Sequence, residues 1–248
     1  MKLSAFFENN PRIAVAFSGG ADSSYLLYAA KTAGCDVSAY FVKSQFQPRF
    51  ELNDALRIAG LLGIQLKVET LDVLSFRDIA GNPEDRCYLC KTQILGRIHK
   101  LARADGIGVL CDGTNADDSE YDRPGMRALR ELGVISPLRE CGITKAEIRA
   151  LSREAGLPTY DKPPYACLAT RVPAGTPISE NILEKLEHAE EALMDMGFSD
   201  LRVRLLPPSG ARIQLPEKQM ETAVEKRADI LAALRPGFDS IMLDLVSR

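Results

Sequence analysis

The hexad Ser18-Gly19-Gly20-Ala21-Asp22-Ser23 constrains this chain more than any other stretch, because of what flanks it. Before it, Ile13 to Phe17 is an unbroken apolar run, the pattern of a parallel strand buried on both faces. After it, Ser23 to Ala33 carries apolar residues at helical spacing and stops at Gly34. A strand, a glycine turn and a helix in that order leave unpaired N–H groups and the positive end of a helix dipole at the turn. The glycines let that backbone come close to an anion. The expected ligand is therefore a phosphate, as in a nucleotide. No Gly-Lys-Ser/Thr follows, as a Walker loop would need, and the third glycine of a dinucleotide fingerprint is missing.

Further β-rich apolar runs, Val37 to Val42, Gln65 to Thr70 and Gly108 to Cys111, alternate with helical patterns near Asp22 to Ala33, Phe50 to Leu62, Cys90 to Ala104 and Lys145 to Glu154. Such alternation predicts an α/β fold, a Rossmann-like parallel sheet with helices on both faces. Thr144-Lys145-Ala146-Glu147 is a capping box that starts the last of those helices. Ligands of such sheets gather at the carboxyl ends of the strands, which brings together the turn at Ser18, the loop opening at Lys43 and the loop after Cys111. The Pro-rich stretch from Leu157 to Pro164 reads as a boundary. We expect a nucleotide-binding domain over 1–164 and a smaller α+β domain over 165–248. In the latter, Ser179 caps a helix to Met196, Leu201 to Leu206 and Ala211 to Leu215 form a hairpin, Pro216 starts a helix, and Ser240 to Val246 is a last strand.

With 248 residues the chain can bury a full core. No apolar run reaches the length of a membrane span and no basic-then-apolar leader opens the chain, so a cytoplasmic protein without membrane contact is expected. A formal charge of −3 argues against a broad nucleic-acid surface. In a reducing compartment the six cysteines read as metal ligands, reactive thiols or core residues.

Three stretches carry candidate chemistry. Asp112-Gly113-Thr114-Asn115-Ala116-Asp117-Asp118 would lie beside the first turn, with Gly113 and Thr114 at the nucleotide and carboxylates available to Mg²⁺, a hard cation that takes oxygen ligands; a merely polar loop is the bland alternative. Cys87 and Cys90 open a helix, where the dipole with Arg86 and Lys91 favours thiolate, and Cys167 lies near the domain junction. A structural zinc would have to recruit His99 or Cys111 as a fourth ligand, and a redox pair would leave Cys167 unexplained. An iron–sulfur cluster on three thiolates would leave one iron open to an external sulfide. Arg202 and Arg204 share a strand face and Arg212 can face them across the hairpin, a set suited to a substrate phosphate. Salt bridges to Glu184, Glu187 or Glu191 are the alternative. Cys35, Cys141 and His188 look incidental, and Cys111 looks like core.

The Ser-Gly-Gly-x-Asp-Ser pattern resembles the PP-loop of ATP pyrophosphatases, which implies cleavage between the α and β phosphates of ATP, with Ser18, Gly19, Gly20, Asp22, Ser23 and Lys43 at the nucleotide and Asp22 with Asp117 at Mg²⁺. Arg86 to Lys91, Asp112 to Asp118, Arg123-Pro124-Gly125, Ser136-Pro137-Leu138 and Ala166 to Ala169 together resemble the LarE family of ATP-dependent sulfur transferases, in order over nearly the whole chain. That resemblance implies adenylation of a pyridinium carboxylate mononucleotide and sulfur insertion to give a thiocarboxylate for a nickel-pincer cofactor. Some members sacrifice the cysteine matching Cys167. A chain with all three of Cys87, Cys90 and Cys167 resembles the variant that ligates a [4Fe-4S] cluster and uses a sulfide donor, assembled as a homo-oligomer such as a hexamer. Thiolation of tRNA, an ammonia-dependent synthetase and a non-catalytic nucleotide-binding regulator are the competing readings.

Overall fold

The computed structural model describes residues 2–118 and 124–247. Arg123, part of one motif above, lies outside them. In chain order the first half runs α1 (Leu3–Asn9), β1 (Arg12–Ala16), α2 (Ala21–Thr32), β2 (Asp36–Lys43), α3 (Arg49–Leu61), β3 (Leu66–Thr70), α4 (Arg77–Ala80), α5 (Arg86–Ala104), β4 (Leu110–Cys111), α6 (Pro124–Glu131), α7 (Pro137–Glu140) and α8 (Lys145–Glu154). It continues with α9 (Glu180–Asp195), β5 (Arg202–Leu206), β6 (Gly210–Gln214), α10 (Met220–Glu225), α11 (Arg227–Leu234) and β7 (Ser240–Leu243). The chain divides into two compact units, one of 1–71 with 85–162, the other of 72–84 with 163–248.

In the first unit β1 to β4 form a parallel sheet in the order β3-β2-β1-β4. The alternation of side chains along β1 explains why an apolar run was needed. Ile13 and Val15, with Phe17 beyond, enter a core with Leu26 and Leu27 of α2 and Ala55 and Ile58 of α3. Ala14 enters a second core with Leu95 and Ile98 of α5. Helices therefore cover both faces, as the α/β reading requires. The chain adds β2 and β3 on one side of β1 and then crosses to add β4 on the other. That reversal places the loops after β1 and β4 side by side at the carboxyl end of the sheet.

Differences from the expected elements have local causes. The fourth strand is shorter than Gly108 to Cys111 because only Leu110 and Cys111 pair with β1, opposite Ala14 and Val15. The helix expected from Cys90 begins at Arg86 and so contains both Cys87 and Cys90. After Pro216 comes a 3₁₀ turn (Glu217–Gln219) before α10. The last strand ends at Leu243 rather than Val246, since the Asp244 carboxylate accepts the Val246 N–H at 3.1 Å and turns the chain out. In the second unit β5 and β6 pair antiparallel and β6 pairs parallel with β7. Segment 72–84, which no composition shift separates from its neighbours, belongs to this unit. Its Asn82 side chain donates to the carbonyls of Pro173 (2.7 Å) and Thr176 (3.0 Å).

Candidate active site

The turn after β1 is built by its own hydroxyls. The Gly20 N–H donates to Ser18 Oγ (3.4 Å), Ser23 Oγ donates to the Gly20 carbonyl (3.3 Å), and the two hydroxyl oxygens lie 3.2 Å apart. Gly19 has φ +70°, and a Cβ there would stand 3.0 Å from the Ala55 nitrogen of α3, so both conformation and space require glycine. Gly20 is the N-cap of α2, and Asp22 lies in the first turn.

The loop after β4 closes on that helix end. A Cβ on Gly113 would lie 2.7 Å from the Ser23 nitrogen, so the two loops touch backbone to backbone. Asp112 is buried and faces inward, accepting from Ser136 Oγ (2.6 Å) and Thr114 Oγ1 (2.5 Å). Thr114 therefore sits at the site but spends its hydroxyl on holding the loop. Asp117 accepts the Lys145 N–H at 2.8 Å, at the start of α8. Thr144 and Glu147 form the expected capping box at that helix start. The Thr144 N–H and hydroxyl hold the Glu147 carboxyl below its usual range. Lys43, at the end of β2, donates to the Gln47 carbonyl.

Two lysines far along the chain reach the same turn. Lys145 Nζ lies 2.6 Å from Asp22 Oδ1, while Asn115 Nδ2 donates to Asp22 Oδ2 over 3.4 Å. Lys162 donates to the Gly19 carbonyl (3.0 Å) and to Asp54 Oδ2 (2.7 Å). Neither lysine was a candidate in the sequence, where they are separated from the turn by more than a hundred positions. Asp22 and Asp117 are carboxylates, the donor type that Mg²⁺ commonly takes one or two at a time together with substrate phosphates and waters.

Cys87 and Cys90 lie one turn apart near the start of α5, and Arg86 Nη2 donates to Cys87 Sγ at 3.5 Å. Cys167 precedes a 3₁₀ turn (Leu168–Arg171) in the second unit, its carbonyl accepting from Thr170 Oγ1 at 2.8 Å. Among the described residues none of the three is in a disulfide. Their chemistry suits iron, yet among the described residues no three Cys, His, Asp or Glu side chains are gathered as a metal-holding group. Cys111 is core, as expected, and burial pushes its thiol up, keeping it protonated.

In the second unit Arg204 and Arg212 stand directly opposite across the hairpin, a like-charged pairing that disfavours the sheet unless an anion or acceptors offset it. Arg204 donates to Gln214 Oε1 (2.6 Å) and to the Thr170 carbonyl (2.8 Å). Arg202 is buried, donating to the carbonyls of Leu201 (2.7 Å) and Pro164 (2.8 Å). Among the described residues Arg212 Nε has no hydrogen-bond partner, and it forms an ion pair with the Asp244 carboxylate at 3.7 Å. The carboxylate that matters most here is one the sequence reading passed over. Glu190 is buried and takes Arg171 in a two-pronged pair (2.8 and 2.9 Å), the Tyr165 hydroxyl (2.5 Å) and the Val203 N–H (2.8 Å). Burial alone would lower the Arg171 pKa, but Glu190 overrides it and the net shift is upward. The signal was available: Leu183, Leu186, Glu190 and Leu193 follow one helical stripe, and a carboxylate on an apolar stripe needs a buried partner.

A parallel sheet whose first strand opens through a two-glycine turn into a helix, with an acidic loop packed on that helix end, defines an α/β enzyme of the PP-loop ATP pyrophosphatase class. No protein-family model matches the chain. It is 32% identical, over 98% of its length and 89% of the relative's, to the pyridinium-3,5-bisthiocarboxylic acid mononucleotide synthase of Lactiplantibacillus plantarum. It is 36% identical to an uncharacterized protein of Synechocystis over 90% of this chain and 83% of that one. A tRNA-specific 2-thiouridylase of Pseudothermotoga lettingae is 26% identical over 61% of this chain and 54% of its own. The chain belongs to the LarE family of ATP-dependent sulfur transferases. It is thus an enzyme, which removes the reading as a non-catalytic regulator. Among the described residues no helix is long and apolar enough to cross a membrane.

Proposed function

We propose that this enzyme adenylates a carboxylate of a pyridinium mononucleotide and inserts sulfur to give a thiocarboxylate, a step of nickel-pincer cofactor synthesis. One observation carries the reading: the likeness to the mononucleotide synthase runs over 98% of the chain, whereas likeness to a tRNA thiolase covers 61%. The chemistry explains the need for ATP. A carboxylate repels an incoming thiolate and has only oxide to expel, and adenylation removes both obstacles. The turn from Ser18 to Ser23 would stabilise charge developing on pyrophosphate, with Asp22 and Asp117 holding Mg²⁺, which supplies charge neutralisation when bound. Sulfur must then meet the acyl carbon at about 3 Å with water excluded, since hydrolysis of the adenylate is the competing loss.

Arg202, Arg204 and Arg212 are assigned to the substrate phosphate, and Arg212 Nε, which makes no hydrogen bond among the described residues, supports that role. Cys87, Cys90 and Cys167 are assigned to a [4Fe-4S] cluster, which when bound would offer an open iron to supplied sulfide. The experiment is pyrophosphate release dependent on the carboxylated mononucleotide, run beside iron and acid-labile sulfide analysis of protein purified and reconstituted without oxygen. Substrate-dependent pyrophosphate is expected, together with about four irons per chain. Release without dependence on the mononucleotide rejects the substrate, and iron-free protein rejects the cluster.

A further inference from the structure

Lys145 is badly placed for its own helix and well placed for Asp22. It is the first residue of α8, where the helix dipole disfavours a cation, so α8 itself does not hold the ammonium group there. The group instead lies 2.6 Å from Asp22 Oδ1 in the first turn of α2, and the Lys145 N–H holds Asp117 at 2.8 Å. Asn115 completes the set, donating to Asp22 and accepting the Asp117 N–H at 2.9 Å. Both carboxylates assigned to magnesium are thus held by one residue. The Lys145–Asp22 pair is part-exposed, with side chains 33% and 23% accessible, so separating it strands neither charge in an apolar interior.

We propose that Lys145 is an exchangeable counter-ion of the nucleotide site. It neutralises Asp22 in the pair described above, and with Mg²⁺-ATP bound Asp22 would hold the metal and the Lys145 ammonium would be released toward the phosphates. In the chemical step the substrate carboxylate oxygen bonds to the α-phosphorus. The bond from that phosphorus to the bridging oxygen breaks, and its electron pair leaves on pyrophosphate. The Lys145 ammonium donates a hydrogen bond to the departing group. The inference rests on the reading of the glycine turn as an ATP site.

The test compares wild type with Lys145→Met and Lys145→Arg in the full chain. ATP binding is measured by calorimetry across a magnesium series that includes excess EDTA, and pyrophosphate release is measured separately. In Lys145→Met the half-saturating magnesium should fall about threefold to tenfold, because Asp22 is no longer occupied. The same change should lower kcat about 100-fold, and Lys145→Arg should restore part of it. In Lys145→Arg the half-saturating magnesium should rise, since a guanidinium grips a carboxylate more firmly; that arm stands even where the Met variant folds poorly. Magnesium dependence unmoved in both variants, or undiminished pyrophosphate release by Lys145→Met, overturns the exchange while leaving the ATP site in place. Wild type that binds no ATP overturns the site and the exchange together.

Discussion

Two carboxylate–cation pairs, one in each unit, show opposite uses of the same interaction. Arg171 and Glu190 are 0% and 1% exposed, and every carboxylate oxygen and every guanidinium nitrogen of the pair is hydrogen-bonded. Asp22 and Lys145 are partly open to water, and among the described residues Lys145 and Asn115 are the two side chains that donate to the carboxylate. A charge taken wholly from water must keep its partner, because breaking the pair leaves an uncompensated ion. A charge left half in water can change partners at little cost. Burial therefore separates a pair that fixes a structure from a pair that can take part in a reaction.

The widest separation should come from removing each acid. Asp22→Ala is expected to abolish pyrophosphate release, a loss of about 1,000-fold or more, while thermal melting stays within the range of a lost surface pair. Glu190→Ala should do the reverse to stability, costing about 3–5 kcal/mol in denaturant melts of the second unit. Equal stability losses in the two variants would erase the contrast. Gly113→Ala should cost about 1–3 kcal/mol and weaken ATP binding, because the added methyl forces the acidic loop off the Ser23 backbone. An unaltered melting point and affinity would mean the loops are not in register as described. Thr144→Ala should remove about 1 kcal/mol by uncapping α8. The Glu147 carboxyl, held below its usual range, makes its contribution above the ordinary carboxylate pKa and loses it as pH falls through the lower folded value. Acid melts of wild type and Thr144→Ala should therefore converge as pH drops, and curves that stay parallel would remove Glu147 from the cap.

Local signals made the centre of this fold readable. The apolar run of β1, the glycine turn and the capping box at Thr144 each depend on residues within a few positions, and each is present in the structure. The hairpin of β5 and β6 was equally legible, down to Arg204 facing Arg212. What the sequence concealed depends on distance along the chain. Lys145 meets Asp22 across 123 positions and Lys162 meets Gly19 across 143, and no periodicity encodes either meeting. Segment 72–84 joins the second unit through Asn82, whose contacts lie some ninety positions later. Glu190 was readable in principle, since it shares the buried stripe of Leu183, Leu186 and Leu193, whereas Glu184, Glu187 and Glu191 lie off it.

Lys162 is the last residue of the first unit, and the same ammonium group that grips Asp54 also grips the Gly19 carbonyl. The chain therefore leaves this unit on a short leash tied to the phosphate turn. Because that carbonyl belongs to the Gly19–Gly20 peptide, Lys162 fixes the orientation of the same peptide whose N–H donates to Ser18 Oγ.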